Sequence, residues 1–118
     1  MVNSSSLPTN IFLAMYLLWK QGLMSLEAPD DFKSFKFVID AAAAELDRFS
    51  QALVGIAAFD GPTTSWIAQS SVRAMGERAK DPAWQIAFDA MLDKARPHGW
   101  VDPRTGAIRA HVEWLRTN

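Results

Sequence analysis

The stretch DDFKSFKFVIDAAAAELDRFSQALVGIAAF, residues 30–59, dominates this chain because its apolar side chains recur at spacings of three and four residues. The recurring positions are Phe32, Phe35, Ile39, Ala42, Leu46, Phe49, Leu53 and Ile56. Spacing of this kind, kept over many turns, is typical of the a and d positions of a helix that packs against other helices. The pattern predicts a long central helix, about 30–59, and with it a mainly α fold.

The predicted long helix is apolar on more than one side, which indicates how it packs. Phe37, Val38 and Val54 lie outside the a and d positions. A helix with so few polar sides is usually enclosed by several neighbouring helices. This favours the centre of an intramolecular bundle over one strand of a dimeric coiled coil, which is the alternative interpretation.

Three more helices are predicted around the central one, and the last of them has the clearest start. Asp81 can cap a helix, and Pro82 then takes the first helical position, where no intrahelical N–H bond is lost. The apolar side chains that follow predict a helix over 82–96. Less regular patterns predict the other two helices at about 11–22 and 64–79. The expected fold is thus a compact bundle of about four helices.

The C-terminal tail changes its periodicity from that of a helix to that of a strand. Apolar and polar residues alternate over 108–114, and the segment 102–106 has the composition of a turn, with proline early and glycine late. We expect a small β-hairpin over about 100–114. A short final helix from about Ala107 is the competing interpretation.

Length and composition indicate one domain and a reducing compartment. A chain of 118 residues has the size of a single domain, expected over 1–118 with a flexible Ser-rich start at 1–7. It contains no cysteine, which excludes disulfides and cysteine metal sites. The apolar segment 11–19 lacks the flanks of a signal peptide and is interrupted at Lys20, well short of a membrane span. We therefore expect a cytoplasmic protein with no membrane partner.

The charge pattern is balanced over the chain but uneven along it. The formal net charge is −1, so charge alone implies neither a polyanionic nor a polycationic partner. Acidic residues prevail over 27–47 and basic residues over 94–118. Five tryptophans and seven phenylalanines are a heavy aromatic load for this length, and part of it is expected at an interface.

No motif in the chain carries recognisable chemistry. There is no Gly-rich phosphate loop, no His-Glu-x-x-His motif and no nucleophile elbow, so we predict no enzymatic activity and no cofactor. One conceivable metal site combines His98, His111 and Glu113, since imidazole and carboxylate both bind zinc or iron. Their spacing matches no known metal signature, and a solvated hairpin face explains them better, so no metal is predicted.

A nucleic-acid-binding function is the alternative that the order of the predicted elements suggests. A helix over 82–96 followed by a hairpin over 100–114 has the element order of a winged helix, with Arg104 and Arg109 placed to contact phosphates. Acidic residues on the same helix, such as Asp89, would repel the DNA backbone. The likeness concerns element order only and has no residue motif behind it.

Partner binding without catalysis is the function that these observations favour. The concrete form we predict is a small inhibitor or immunity-type protein that binds and neutralises a toxin or a nuclease. This form follows from the compact size and the missing catalytic motifs, and an acidic surface would then cover a basic cleft of the partner. The predicted partner-binding residues are Asp30, Asp31, Asp40, Glu45, Asp47, Trp100, Arg104, Arg109 and Trp114.

Overall fold

A computed structural model describes residues 15–117 and shows a six-stranded mixed sheet with three short α-helices. The strands are β1 Met15–Lys20, β2 Leu23–Glu27, β3 Phe35–Ala42, β4 Ala57–Phe59, β5 Thr64–Ile67 and β6 Ile108–Arg116. The helices are α1 Leu46–Ala52, α2 Gln69–Arg73 and α3 Pro82–Ala95, with 3-10 turns at Ala43–Glu45, Gly76–Lys80 and Arg96–His98. The expectation of a flexible start at 1–7 lies outside the described residues.

The sheet places the last strand at its centre. The strand order is β2-β1-β3-β6-β5-β4. Strands β1, β3 and β6 run parallel to one another, whereas β2, β5 and β4 each pair antiparallel with their neighbours. In the central pair, Phe37 lies opposite Val112, so segments far apart in sequence form the middle of the sheet.

All three helices contribute to one core on a single face of the sheet. Strand residues of one alternating set, such as Leu17, Phe37 and Val112, lie side by side on this face and are buried. The helices add Phe49, Val72, Trp84, Phe88 and Leu92 to the same cluster. Burying each of these side chains contributes roughly 1.5–3 kcal/mol before the entropy of ordering is counted. The other face of the sheet carries mostly polar side chains, and we call it the polar face.

The long central helix predicted over 30–59 is wrong, and so is the mainly α bundle built around it. The structure places a loop, β3, a 3-10 turn, α1 and β4 in this segment. Strand β3 lies between two parallel neighbours, and such strands are buried on both faces. Phe37 and Val38 are both fully buried although they point to opposite faces. A nearly continuous apolar run satisfies the helical and the strand period alike, which explains the error.

The predicted helices at 11–22 and 64–79 are also wrong where the structure describes them. Residues 15–20 form β1, and the start of the first predicted helix lies outside the described residues. The second segment begins with β5 and continues as α2, a turn and a 3-10 turn. The helix predicted over 82–96 is confirmed as α3, capped by Asp81, whose side chain accepts from the N–H groups of Ala83 and Trp84.

The predicted hairpin over 100–114 exists only in part. The alternating segment is strand β6, but it pairs with β3 on one side and β5 on the other. Its link to the preceding segment is a single bridge between Val101 and Ile108, closed by a turn at 102–106. A strand held in the centre of the sheet cannot project as the wing of a winged helix. None of the helices within 15–117 has the length and apolar character needed to cross a membrane.

Candidate functional site

A groove of about 1270 Å³ follows the edge of the sheet where the parallel strands β3 and β6 begin. Its walls are the loop 28–34, one side of α3 and the segment that follows α3. Because β3 and β6 are parallel, their first residues meet at this edge and contribute to the floor. We call it the edge groove; the residues used below are Phe32, Phe35, Met91, Lys94, Trp100 and Arg109.

One wall of the edge groove is tied to the start of α3. The indole Nε1–H of Trp84 donates to the carbonyl oxygen of Pro29 at 2.6 Å. The guanidinium of Arg78 pairs with Asp30 at 2.6 Å. Because Trp84 is itself buried in the core, these contacts hold the loop 28–34 in place and keep the groove open between loop and helix.

The opposite wall presents Trp100, which is 44% exposed and thus far more accessible than a core tryptophan. Its ring stacks on His98 with 4.3 Å between centroids. Gly99 between them adopts φ +76°, a left-handed conformation that favours glycine and turns the chain after α3. The N–H of Arg109 donates to the carbonyl of Trp100 at 2.8 Å, which links this wall to β6.

Two of the five predicted acidic residues lie at the edge groove. Asp30 is exposed, but its charge is paired with Arg78. Asp31 accepts a hydrogen bond from the backbone N–H of Lys33 at 3.2 Å and forms no ion pair within residues 15–117. Only one of the two carboxylates at the groove is therefore left without a cationic partner in the described part of the chain.

The other three predicted acidic residues lie beyond the middle of β3, away from the groove. Asp40 pairs with Arg116 at 2.8 Å, and this hydrogen bond is the main cause that lowers the pKa of Asp40. Glu45 pairs with Arg48 at 2.6 Å, and that hydrogen bond likewise lowers the pKa of Glu45. Asp47 is exposed in the first turn of α1. Five acids divided between two ends of β3, three of them paired with arginine, do not form one acidic surface.

The basic and aromatic residues predicted in the tail are separated as well. Trp100 and Arg109 lie together at the edge groove. Arg104 is exposed in the turn before β6 and does not line the groove. Trp114 faces the core side of the sheet, where its indole N–H donates to the carbonyl of Pro62 at 2.7 Å. The structure thus keeps two of the four tail residues as candidates for one site.

The three residues of the conceivable metal site do not come together as one ligand set. His98 and His111 both line the edge groove. Glu113 lies 3.9 Å from Nε2 of His111 but is paired with Lys36. Within residues 15–117, no group of three His, Cys, Asp or Glu side chains is placed to hold a metal ion.

The polar face contains an ion pair that sequence reasoning missed. Lys36 Nζ lies 3.1 Å from Glu113 Oε2, and both side chains are almost entirely buried. Tyr16 is the cross-strand neighbour of Lys36, and burial, followed by the charge of Glu27, raises the pKa of the Tyr16 phenol. The alternation of β6 indicated that His111 and Glu113 share a face, but the partner of Glu113 lies 77 positions away.

Several residues of the edge groove were also missed by sequence reasoning. Met91 and Lys94 are three positions apart on α3, a spacing that places both on one side of a helix. Phe32 and Lys33 belong to the loop facing α3 and not to the long helix predicted over 30–59. The groove combines an apolar floor with cationic side chains at its rim, an arrangement suited to binding.

Comparison with known proteins gives no guide to this site. No model of a protein family matches the chain, and neither curated proteins nor solved structures yield a match.

Proposed function

We propose that the protein is a non-catalytic protein-binding module and that the edge groove holds its partner. The observation that carries the proposal is the exposure of Trp100 on a wall of this groove. Tryptophan is among the residues most enriched at interface hot spots, which lie in pockets that exclude water when the partner binds. A rigid aromatic side chain presented beside a groove supports partner binding.

The size of the edge groove favours a chain segment over a small molecule. Pockets for small ligands typically have volumes of about 300–1000 Å³. The edge groove is larger, at about 1270 Å³, and is partly open to solvent. An open site of this size leaves room for several consecutive residues of another protein.

The concrete form of the proposal is a small inhibitor or immunity-type protein that covers a functional surface of a toxin or a nuclease. The predicted mode of binding, in which an acidic surface of this protein covers a basic cleft of the partner, is not supported. Asp30, Asp40 and Glu45 are each already paired with an arginine. Contact through Trp100 takes its place. No observation favours the winged-helix alternative, since β6 is a central strand.

The test is capture of partners from native lysate by three matched proteins: the wild type, Trp100→Ala and Ile86→Ala. Ile86 is 70% exposed on α3 and does not line the edge groove, so its variant controls for loss of an exposed apolar side chain. We expect one protein in stoichiometric amount with the wild type and Ile86→Ala, and at least about tenfold less with Trp100→Ala, as for a hot spot worth about 2 kcal/mol.

Two results would contradict this function. One is equal capture by Trp100→Ala and the wild type, which would place the contact elsewhere on the protein. The other is the absence of any stoichiometric partner. Circular dichroism of each variant verifies that the fold is retained before capture is compared.

A further inference from the structure

On the basis of the proposed function, we infer that the partner inserts into the edge groove a segment with apolar side chains flanked by carboxylates. The chemical class of the partner segment is left open by the proposed function. The inference rests on three features of the groove: an apolar floor, exposed cations at the rim and the stacked pair of Trp100 and His98.

The floor of the edge groove provides an apolar surface for the apolar side chains of the partner segment. Phe32 and Phe35 come from the loop 28–34 and the start of β3, and Met91 faces them from α3. Phe32 is only half-buried and packs against Trp84 with 6.0 Å between ring centroids. Methionine adapts its shape to its neighbours, which suits a floor that accepts an inserted side chain. Covering these surfaces would remove apolar area from water and favour binding.

The rim of the edge groove provides positive charge for the carboxylates of the partner segment. Lys33, Lys94 and Arg109 line the edge groove, are exposed, and form no ion pair within residues 15–117. Among the described residues of the rim, Asp31 contributes a negative charge that has no cationic partner, whereas the charge of Asp30 is already paired with Arg78. The rim thus carries a local excess of positive charge on a protein whose formal net charge is −1. Carboxylates on the partner would meet complementary charge here, which sets specificity and speeds association.

The groove fits a peptide segment better than a nucleic acid. A nucleic-acid surface presents basic residues in a continuous patch or stripe. The edge groove instead combines its cations with an apolar floor that includes Phe32, Phe35 and Met91, which suits apolar side chains better than a phosphate backbone. Apolar side chains in the middle of such a segment would lie on the floor, and the carboxylates on either side of them would meet Lys94 and Arg109 on the rim.

The experiment uses short synthetic peptides and the indole N–H signals of the ¹⁵N-labelled protein. The probe has a leucine-phenylalanine-leucine core with two aspartates on each side. One control replaces the aspartates by lysines, and another replaces the core by serines. A single-stranded oligonucleotide tests the nucleic-acid outcome. The Trp100 signal is assigned by its loss in Trp100→Phe.

We expect the acidic peptide to shift the Trp100 signal and to bind more weakly as salt is added. Its Kd should rise about fivefold or more in Lys94→Glu with Arg109→Glu, as two lost charge contacts imply. The control, Lys20→Glu with Lys80→Glu, changes the net charge equally at exposed sites outside the groove and should leave the Kd unchanged. Full spectra of both variants verify their folding.

The outcomes separate this inference from the proposed function. If the lysine peptide shifts Trp100 with the same Kd, the acidic partner class is wrong while the groove remains a docking site. Failure of every peptide to shift Trp100, or tighter binding of the oligonucleotide there, also overturns the inference. The capture experiment with Trp100→Ala then decides the proposed function by itself.

Discussion

At the scale of single residues, the ion pair between Lys36 and Glu113 is the contact whose disruption we expect to lower stability most. Their side chains are 12% and 11% exposed, and Glu113 Oε1 is buried without a hydrogen-bond donor among the described residues. Within residues 15–117, Lys36 is the only cation within 4.0 Å of Glu113 apart from the imidazole of His111, and Lys36→Met removes it. We expect a loss of about 3–5 kcal/mol in the free energy of unfolding, measured by urea denaturation, because a buried charge loses its partner.

The matched control for this prediction removes both charges. Lys36→Met combined with Glu113→Leu leaves no buried charge unpaired and should recover most of the loss, since apolar replacement of a whole buried pair is often neutral or stabilising. If the double variant is as unstable as Lys36→Met alone, the cost lies in packing rather than in the unpaired carboxylate.

The ion pair between Asp40 and Arg116 should make the stability of the protein depend on pH. The hydrogen bond from Arg116 lowers the pKa of Asp40 in the folded protein, and the charge of Lys20 acts in the same direction. A lowered pKa means that the folded state favours the carboxylate, so its contribution is present at neutral pH and disappears as pH falls through that pKa. Asp40→Asn should therefore destabilise the protein at neutral pH, and this difference in the free energy of unfolding should shrink as pH falls below about 3.9, the ordinary pKa of Asp, in urea unfolding at a series of pH values. A difference that grows on acidification would contradict this assignment.

At the scale of elements, α3 shows what local sequence determines. Its start at Pro82 was predicted because an N-cap and an N1 proline act on their own neighbours and need no tertiary context. Asp81 Oδ1 accepts from the N–H groups of Ala83 and Trp84 at 3.1 and 3.2 Å, and Oδ2 pairs with Arg78 at 3.1 Å. The start of α3 is therefore determined by residues that lie within a few positions of it in the sequence.

The cap of α3 can be tested directly. Asp81→Ala should lower the free energy of unfolding by about 1 kcal/mol, the usual effect of removing a cap, measured by thermal or urea unfolding. Asp81→Asn keeps a capping oxygen and loses only the charge, so its effect should be smaller. Equal losses in the two variants would assign the effect to the Arg78 pair instead of the cap.

Strand β3 shows what local sequence leaves undetermined. Its residues 35–42 fit a helical seam and a doubly buried strand equally well, and the choice depends on neighbours elsewhere in the chain. Phe37 meets Leu17 on one side and Val112 on the other, and neither contact is visible in the segment itself. The alternation of residues in β6 correctly predicts a strand. It does not predict the position of that strand at the centre of the sheet.

The candidate site was predictable only in part for the same reason. Trp100 and Arg109 were singled out because their residue types are enriched at interfaces, and both line the edge groove. Lys33 and Lys94 lie on segments that are far apart in sequence and meet only in the folded protein, so nothing in their local sequence marks them. Arg104 has the same residue type as Arg109 but lies in a turn outside the groove.

At the scale of the whole molecule, the decisive feature is that residues 108–116 form a strand at the centre of the sheet. Strand β6 pairs with β3 and β5, and Ile108, Ala110 and Val112 are buried in the core. A chain that ends at Gly106 should therefore show no cooperative thermal transition and no near-ultraviolet circular dichroism from ordered tryptophans, because its sheet is divided into two halves. A chain that ends at Arg116 retains all of β6 and should unfold like the full chain. Cooperative unfolding of the shorter chain would mean that 107–118 is an appendage, as a terminal hairpin would be.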